Sequence, residues 1–179
     1  MAKDKLTFEN FTRLDKATLE MIYKWRTSPE IAKYMDTSAD FTLESHFKFC
    51  EALKNRKDRL YYLVKLNDVP FGVFDYTDID DKEHIAEAGI YVIENYRKYT
   101  RIVSACEFLV AYRHGIKKIK MHVNKDNVKA VLYNLVKIKN KMLGEDDKYV
   151  YFESVYKPFD ECMELYSDIF EKYECEVLD

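Results

Sequence analysis

Between residues 87 and 134 the chain sets down structural signals in an order that few folds accommodate. Glu87-Ala88-Gly89-Ile90-Tyr91-Val92 reads as a strand and runs into the basic turn Tyr96-Arg97-Lys98-Tyr99-Thr100-Arg101. An apolar helix is predicted over residues 101–114, with Ile102, Ala105/Cys106, Leu109 and Tyr112 at helical spacing and Gly115 closing it as a C-terminal glycine does. A second strand over residues 117–123 and a helix from Asn127 to about Val136 follow. Strand alternation places Ile85, Glu87, Gly89 and Tyr91 on one face. A carboxylate among such neighbours is desolvated, which raises its pKa and lets it take a proton from an ammonium near neutral pH. The bland alternative for Glu87 is a solvated side chain on an exposed strand. Gly89 inside a strand marks a bulge or a close approach.

The rest of the chain supplies a frame for that segment. A first strand is expected over residues 6–11, and Asp15 can N-cap a helix whose apolar stripe is Leu19, Ile22, Tyr23 and Trp25. Pro29 opens a short turn ending near Met35, and Thr42 with Ser45 caps a helix burying Phe47, Phe49, Cys50 and Leu53. Strands over residues 60–66, 69–76 and 84–93, joined at Asn67-Asp68 and at residues 78–81, read as an antiparallel meander. Two strands near residues 138–143 and 149–156 flank a turn at residues 144–147. Pro158 begins a last helix carrying Phe159, Cys162, Met163, Tyr166, Ile169, Phe170 and Tyr173 on one side, which packs on the sheet or forms a homodimer contact.

Composition limits what such a chain can bind. At 179 residues it is one domain with room for a core, and 47% hydrophobic content is too high for disorder. A net charge of -3 argues against a general nucleic-acid binder, so any anion site must be local. Cys50, Cys106, Cys162 and Cys175 show no metal-ligand spacing and read as reduced thiols. No apolar run suits a signal peptide or a membrane span, so the expected setting is cytoplasmic, with no membrane partner.

The strand, basic turn, helix, strand and Asn-x-x-Ala helix together resemble the coenzyme A core of the GCN5-related N-acetyltransferases (GNAT). The resemblance implies an α/β (α+β) fold: a mixed, mostly antiparallel central sheet of about seven strands flanked by helices over residues 1–157, with an extra C-terminal helical extension at residues 158–179 packed on the same domain. Lys24 to Ile31, Phe41 to Phe49, Tyr61 to Asp75 and Ala86 to Val92 extend it to the enzymes that N-acetylate UDP-4-amino-4,6-dideoxy-N-acetyl-altrosamine in pseudaminic acid synthesis, on the route to glycosylated flagellin. That implies acetyl-CoA as cosubstrate, no metal, and a nucleotide-linked amino sugar as acceptor. Glu87 would be the base, acting directly or through a water, and Tyr91 or Val92 would offer a backbone donor to the thioester.

The pyrophosphate would fall on the start of the helix, with Arg97, Lys98, Tyr99, Thr100, Arg101 and Asn127 as coenzyme-binding residues. The family turn reads Arg-Gly-x-Gly; here Lys98 and Thr100 stand at the glycines, which removes the freedom for positive φ unless the turn is right-handed. The family also presents a Tyr four residues after the Ala of Asn-x-x-Ala to protonate the thiolate. Asn127 and Ala130 are kept, but Asn134 occupies that position and Tyr133 precedes it by about 100° of helix. Either residue could attend the thiolate. Arg26 and His46 would face the nucleotide phosphates, with Trp25, Met35, Phe49 and Tyr91 lining the acceptor site. A non-catalytic binding module of the same fold, and a transferase for a peptide N-terminus or a polyamine, are the competing readings.

Overall fold

The computed structural model describes residues 3–36 and 41–179. Eight strands form one sheet: β1 (Asp4–Asn10), β2 (Leu60–Leu66), β3 (Val69–Asp80), β4 (Ile85–Val92), β5 (Lys118–Asn124), β6 (Lys141–Glu145), β7 (Tyr149–Val155) and β8 (Tyr173–Leu178), in the order β6-β7-β5-β4-β3-β2-β1-β8. All neighbours are antiparallel except β4 with β5 and β1 with β8. The meander is tight because Asn67 and Asp68 both adopt positive φ (48° and 65°), the conformation a two-residue hairpin needs to match strand twist.

Helices cover both faces. On one lie α1 (Lys16–Arg26), α2 (Pro29–Ala32) and α3 (Leu43–Leu53). Asp15 caps α1 by accepting from the Thr18 N–H at 2.7 Å, and Thr42 with Ser45 forms a reciprocal capping box on α3. Ile22, Cys50 and Leu53 bury against Leu63 and Val73 of the sheet. On the other face lies α4 (Thr100–Arg113), which buries Val103, Cys106, Val110 and Ala111 against Tyr62, Val64, Phe74 and Tyr76. Fully burying one such aromatic contributes about 1.5–3 kcal/mol.

Past residue 124 the chain departs from the expected elements. The predicted helix over residues 127–136 is a short α5 (Val128–Leu132) that widens into a π-helical stretch, Tyr133–Ile138, closed by Lys139 at φ 60°. Gly144 lies within β6 rather than in a turn. The single helix expected from Pro158 is two short ones, α6 (Phe159–Leu165) and α7 (Ser167–Phe170), and Tyr173 opens β8. The alternation Glu174, Cys175, Glu176, Val177 is a period-two signal, and it places Cys175 and Val177 on the core side opposite Leu6 and Phe8 of β1. This strand overturns the reading of four free thiols. It carries Cys175 onto α4, where it is joined to Cys106 by a disulfide across 69 residues of sequence. Cys50 and Cys162 remain free. α4 is apolar on more than one side because α6 and α7 cover it, with Phe108 against Phe159, Tyr166 and Phe170. Tyr112, expected in the stripe, is exposed and meets Phe159.

Candidate active site

β4 and β5 pair only over three residues, Ile85 with Lys118, Ala86 with Ile119 and Glu87 with Lys120. β4 then continues to Val92 and β5 to Asn124 without further pairing, and the strands part into a cleft of about 1260 Å³. Ile93 N–H donates to Phe71 at 2.9 Å, and the Tyr91 carbonyl crowds Gly72. Both observations turn the backbone of residues 91 and 93 toward β3. Because successive residues alternate, Ala88, Ile90 and Val92 present their N–H and C=O groups to the opening. Such an unpaired backbone edge is a template for an extended polar ligand.

Glu87 sits at the point of parting, and its surroundings are not the apolar ones expected from the strand alone. His122, two residues beyond Lys120 on β5, donates from Nδ1 to Glu87 Oε1 at 2.5 Å, and its Nε2 stands 3.4 Å from Asp36 Oδ2. Asp36 is held in turn by Lys148 at 2.7 Å and by the Tyr149 hydroxyl. The hydrogen bond from His122 outweighs partial burial and lowers the Glu87 pKa, reversing the expected direction. Glu87, then Asp36, raise that of His122. The arrangement is a carboxylate, an imidazole and a second carboxylate leading from the strand split to the surface. It can move a proton through the imidazole, whose two nitrogens face different carboxylates.

Two other acids line the cleft. Asp75 of β3 leans over Gly89, and burial pushes its carboxyl up to about 7. Glu107 of α4 receives the Tyr156 hydroxyl at 3.3 Å, and burial pushes it up to about 8.

The basic turn is right-handed. Residues Glu94–Tyr99 form a 3₁₀ turn that passes directly into α4, Thr100 has φ -54°, and positive φ occurs nowhere in this stretch. Side chains at Lys98 and Thr100 are therefore accommodated without strain, but the Thr100 N–H is committed to the Arg97 carbonyl. Anion binding here falls to side chains. Those are already engaged: Arg97 lies 3.8 Å from Glu94, Lys98 stacks over Tyr99, and Arg101 grips Asp168 of α7 through two bonds of 2.9 and 3.2 Å.

Asn127 accepts from the Ala130 N–H at 3.3 Å and so starts α5. Tyr133 and Asn134 both line the cleft, in different ways. The Tyr133 hydroxyl donates to Ser104 of α4 at 3.3 Å. Asn134 has both ends of its amide occupied, donating to the Ala130 carbonyl at 2.9 Å and accepting from Asn140 at 2.8 Å, and so closes the π-helical stretch. On the other wall the cleft gathers Arg26, Met35 and Tyr91. Trp25, His46 and Phe49 stand apart from it. His46 is 3% exposed, with its Nε2 on the Leu19 carbonyl and its ring among Tyr23, Phe41 and Phe47, and burial lowers its pKa. Trp25 and Phe49 pack on the α1–α3 core.

Among the described residues no group of three or more His, Cys, Asp or Glu could hold a metal, and no helix is long and apolar enough to cross a membrane. His122 and Asp36 were not legible as site residues, because only the parallel register and the return of the chain after α2 bring them to Glu87, whereas Asp75 arrives by its antiparallel pairing with Gly89. Comparison with known proteins accords with this geometry. The chain is 31% identical over 128 residues to Acetyltransferase PseH of Campylobacter jejuni subsp. jejuni, covering 70% of this chain and 79% of that protein. The crystal structure of Campylobacter jejuni N-acetyltransferase PseH superposes with a TM-score of 0.68 at 25% identity, and its complex with acetyl coenzyme A with a TM-score of 0.65, each covering 85% of this chain and 99% of the other. The model of the Acetyltransferase (GNAT) family matches residues 19–133. The strand split, the crossover helix and this match together place the chain in the GNAT acetyltransferase family.

Proposed function

We propose that the chain transfers an acetyl group from acetyl-CoA to the primary amine of a nucleotide-linked amino sugar, with UDP-4-amino-4,6-dideoxy-N-acetyl-altrosamine as the acceptor. The observation that carries the reading is the parting of β4 and β5 at Glu87, with an acid–imidazole pair at the split and a free backbone edge beyond it. Likeness to a PseH acetyltransferase supports the choice of acceptor.

The residues fit a coenzyme in that cleft. Ala88, Ile90 and Val92 offer the backbone groups that an extended pantetheine arm would pair with, and Arg97, Lys98 and Arg101 bring positive charge to the start of α4. Bound there, acetyl-CoA supplies an activated acetyl thioester. Alternation selects Val92 over Tyr91 as the N–H that faces the thioester oxygen. Glu87 takes a proton from the acceptor's ammonium, and the His122 imidazole, held between Glu87 and Asp36, keeps the carboxylate oriented at the split. Of the two candidates for the leaving thiolate we assign the role to Tyr133, whose phenol lines the cleft with a 3.3 Å hydrogen bond to Ser104 that a thiolate can replace, whereas the Asn134 amide is held at both ends by the Ala130 carbonyl and Asn140. Arg26 supplies a cation to the acceptor wall, with Met35 and Tyr91 as its apolar surface. His46 is too enclosed to meet a phosphate.

Incubation with acetyl-CoA and the UDP-amino sugar should yield a product heavier by one acetyl group together with free coenzyme thiol. Equal turnover of the free amino sugar would remove the nucleotide from the reading. Turnover of spermidine or a peptide N-terminus in its place would move the chain to another acceptor class.

A further inference from the structure

We propose that Asp75 is the anchor for the acceptor's ammonium group, seated for that task by the absence of a side chain at Gly89. The proposal rests on the transferase reading above and deepens it. Asp75 and Gly89 are partners in the β3–β4 register, and a Cβ placed on Gly89 would stand 2.8 Å from Asp75 Oδ2 and 3.1 Å from Oδ1. The carboxyl thus fills the position that a side chain at residue 89 would take on β4. Its neighbours along that face are Glu87 on one side and Tyr91 on the other. The close approach marked by a glycine inside this strand is the approach of a carboxylate.

Among the described residues Asp75 has no hydrogen-bond or ion-pair partner of its own, although it lines the cleft. Two donors beside it are also unsatisfied: Arg26 Nε and the Tyr91 hydroxyl are buried without a partner. Buried polar groups are nearly always paired, so two open buried donors beside an unpaired, partly buried carboxylate form a set awaiting a polar ligand. A carboxylate flanked by two donors is complementary to an ammonium whose neighbouring carbon carries a hydroxyl or carbonyl oxygen. An amino sugar has that pattern. The charged groups facing Asp75 are Arg26 of α1, Arg59 at the start of β2 and Glu87 of β4, with the Tyr61 and Tyr91 phenols beside it. Burial raises the carboxyl to about 7, assisted by Glu87 and opposed by Arg26 and Arg59. Asp75 therefore gains its charge as pH rises through neutrality, where a sugar amine is still an ammonium. On transfer the N–H bond breaks toward Glu87, the electron pair stays on nitrogen, and Asp75 keeps the amine in line.

The test compares Asp75→Asn and Gly89→Ala with wild type, using acetyl-CoA and the UDP-amino sugar. The asparagine removes the charge and keeps the shape; the alanine keeps the charge and displaces it. Both should raise the acceptor KM by about tenfold or more, the scale of one charge-assisted hydrogen bond, and leave the calorimetric Kd for acetyl-CoA within about twofold. The fall in acceptor KM between about pH 6 and pH 8 should be present in wild type and absent in Asp75→Asn. If Asp75→Asn loses coenzyme binding, its fold is damaged, and Gly89→Ala decides. Wild-type turnover with unchanged acceptor KM in the variants overturns the role of Asp75 and leaves the transferase standing; a wild type that acetylates no amine overturns both.

Discussion

Replacing His122 with glutamine removes the imidazolium from between Glu87 and Asp36 while keeping a polar side chain of similar reach. The effect on stability follows from the geometry. Glu87 and His122 are joined at 2.5 Å with side chains 34% and 39% exposed, between a buried charged hydrogen bond, worth about 1.5–3 kcal/mol, and an exposed ion pair, worth about 0.2–1 kcal/mol. We assign the pair about 1 kcal/mol. The His122 pKa is raised on folding, so its contribution is complete below the unfolded value near 6.5 and is lost as pH rises through the folded value. The Glu87 pKa is lowered, so its share is present above the unfolded value near 4.5 and is lost as pH falls through the folded one. The pair is therefore strongest between about pH 4.5 and pH 6.5. Thermal unfolding followed by circular dichroism should show wild type exceeding His122→Gln by about 2–4 °C at pH 6, with the gap closing toward pH 9. Parallel curves for the two proteins across that range would refute the pairing.

Tyr133→Phe should lower kcat with little change in stability, whereas Asn134→Ala should leave kcat near wild type and cost about 1 kcal/mol by freeing the Ala130 carbonyl and Asn140, as steady-state kinetics and urea unfolding will show. Asp168→Asn should release Arg101 for the coenzyme phosphates; the pair is half-exposed and worth about 0.2–1 kcal/mol, so calorimetry should find acetyl-CoA bound up to about fivefold more tightly. Weaker binding would mean that Asp168 holds Arg101 in its working pose. Opening the Cys106–Cys175 link by Cys175→Ser frees a loop of 69 residues and should cost about 4 kcal/mol in denaturant unfolding under non-reducing conditions, with no such loss if the two are free thiols.

What could be read from the sequence was whatever local periodicity and caps determine. The meander, the capped α1 and α3, α4 with its terminal glycine, and the strand carrying Glu87 are of this kind; the cleft they frame was implied by the resemblance to the GNAT core. The tail differs because the helical stripe from Phe159 to Phe170 ends before the period-two alternation at residues 174–177, which forms β8 and sets the position of Cys175. Glu87, Tyr91, Arg97, Lys98, Thr100 and Arg101 belong to the split and the turn beyond it, and they line the cleft. The sequence reading failed where a partner arrives from a distant segment. His122 meets Glu87 through strand pairing and reverses its expected pKa shift, and Asp36 reaches the other nitrogen of His122 from the segment after α2. His46 failed for the opposite reason: a histidine on a capped helix next to aromatic residues has the same local sequence whether it faces a ligand or a core.

The most direct test is the rate of acetyl transfer to the UDP-amino sugar by Glu87→Gln across pH. The substitution keeps the shape at the β4–β5 split and removes the proton acceptor. The rate should fall about 10²- to 10⁴-fold at neutral pH, the usual worth of a general base, and the deficit should shrink as rising pH deprotonates the amine without help. A Glu87→Gln enzyme with the wild-type rate and pH profile would contradict the claim and leave Glu87 a structural partner of His122.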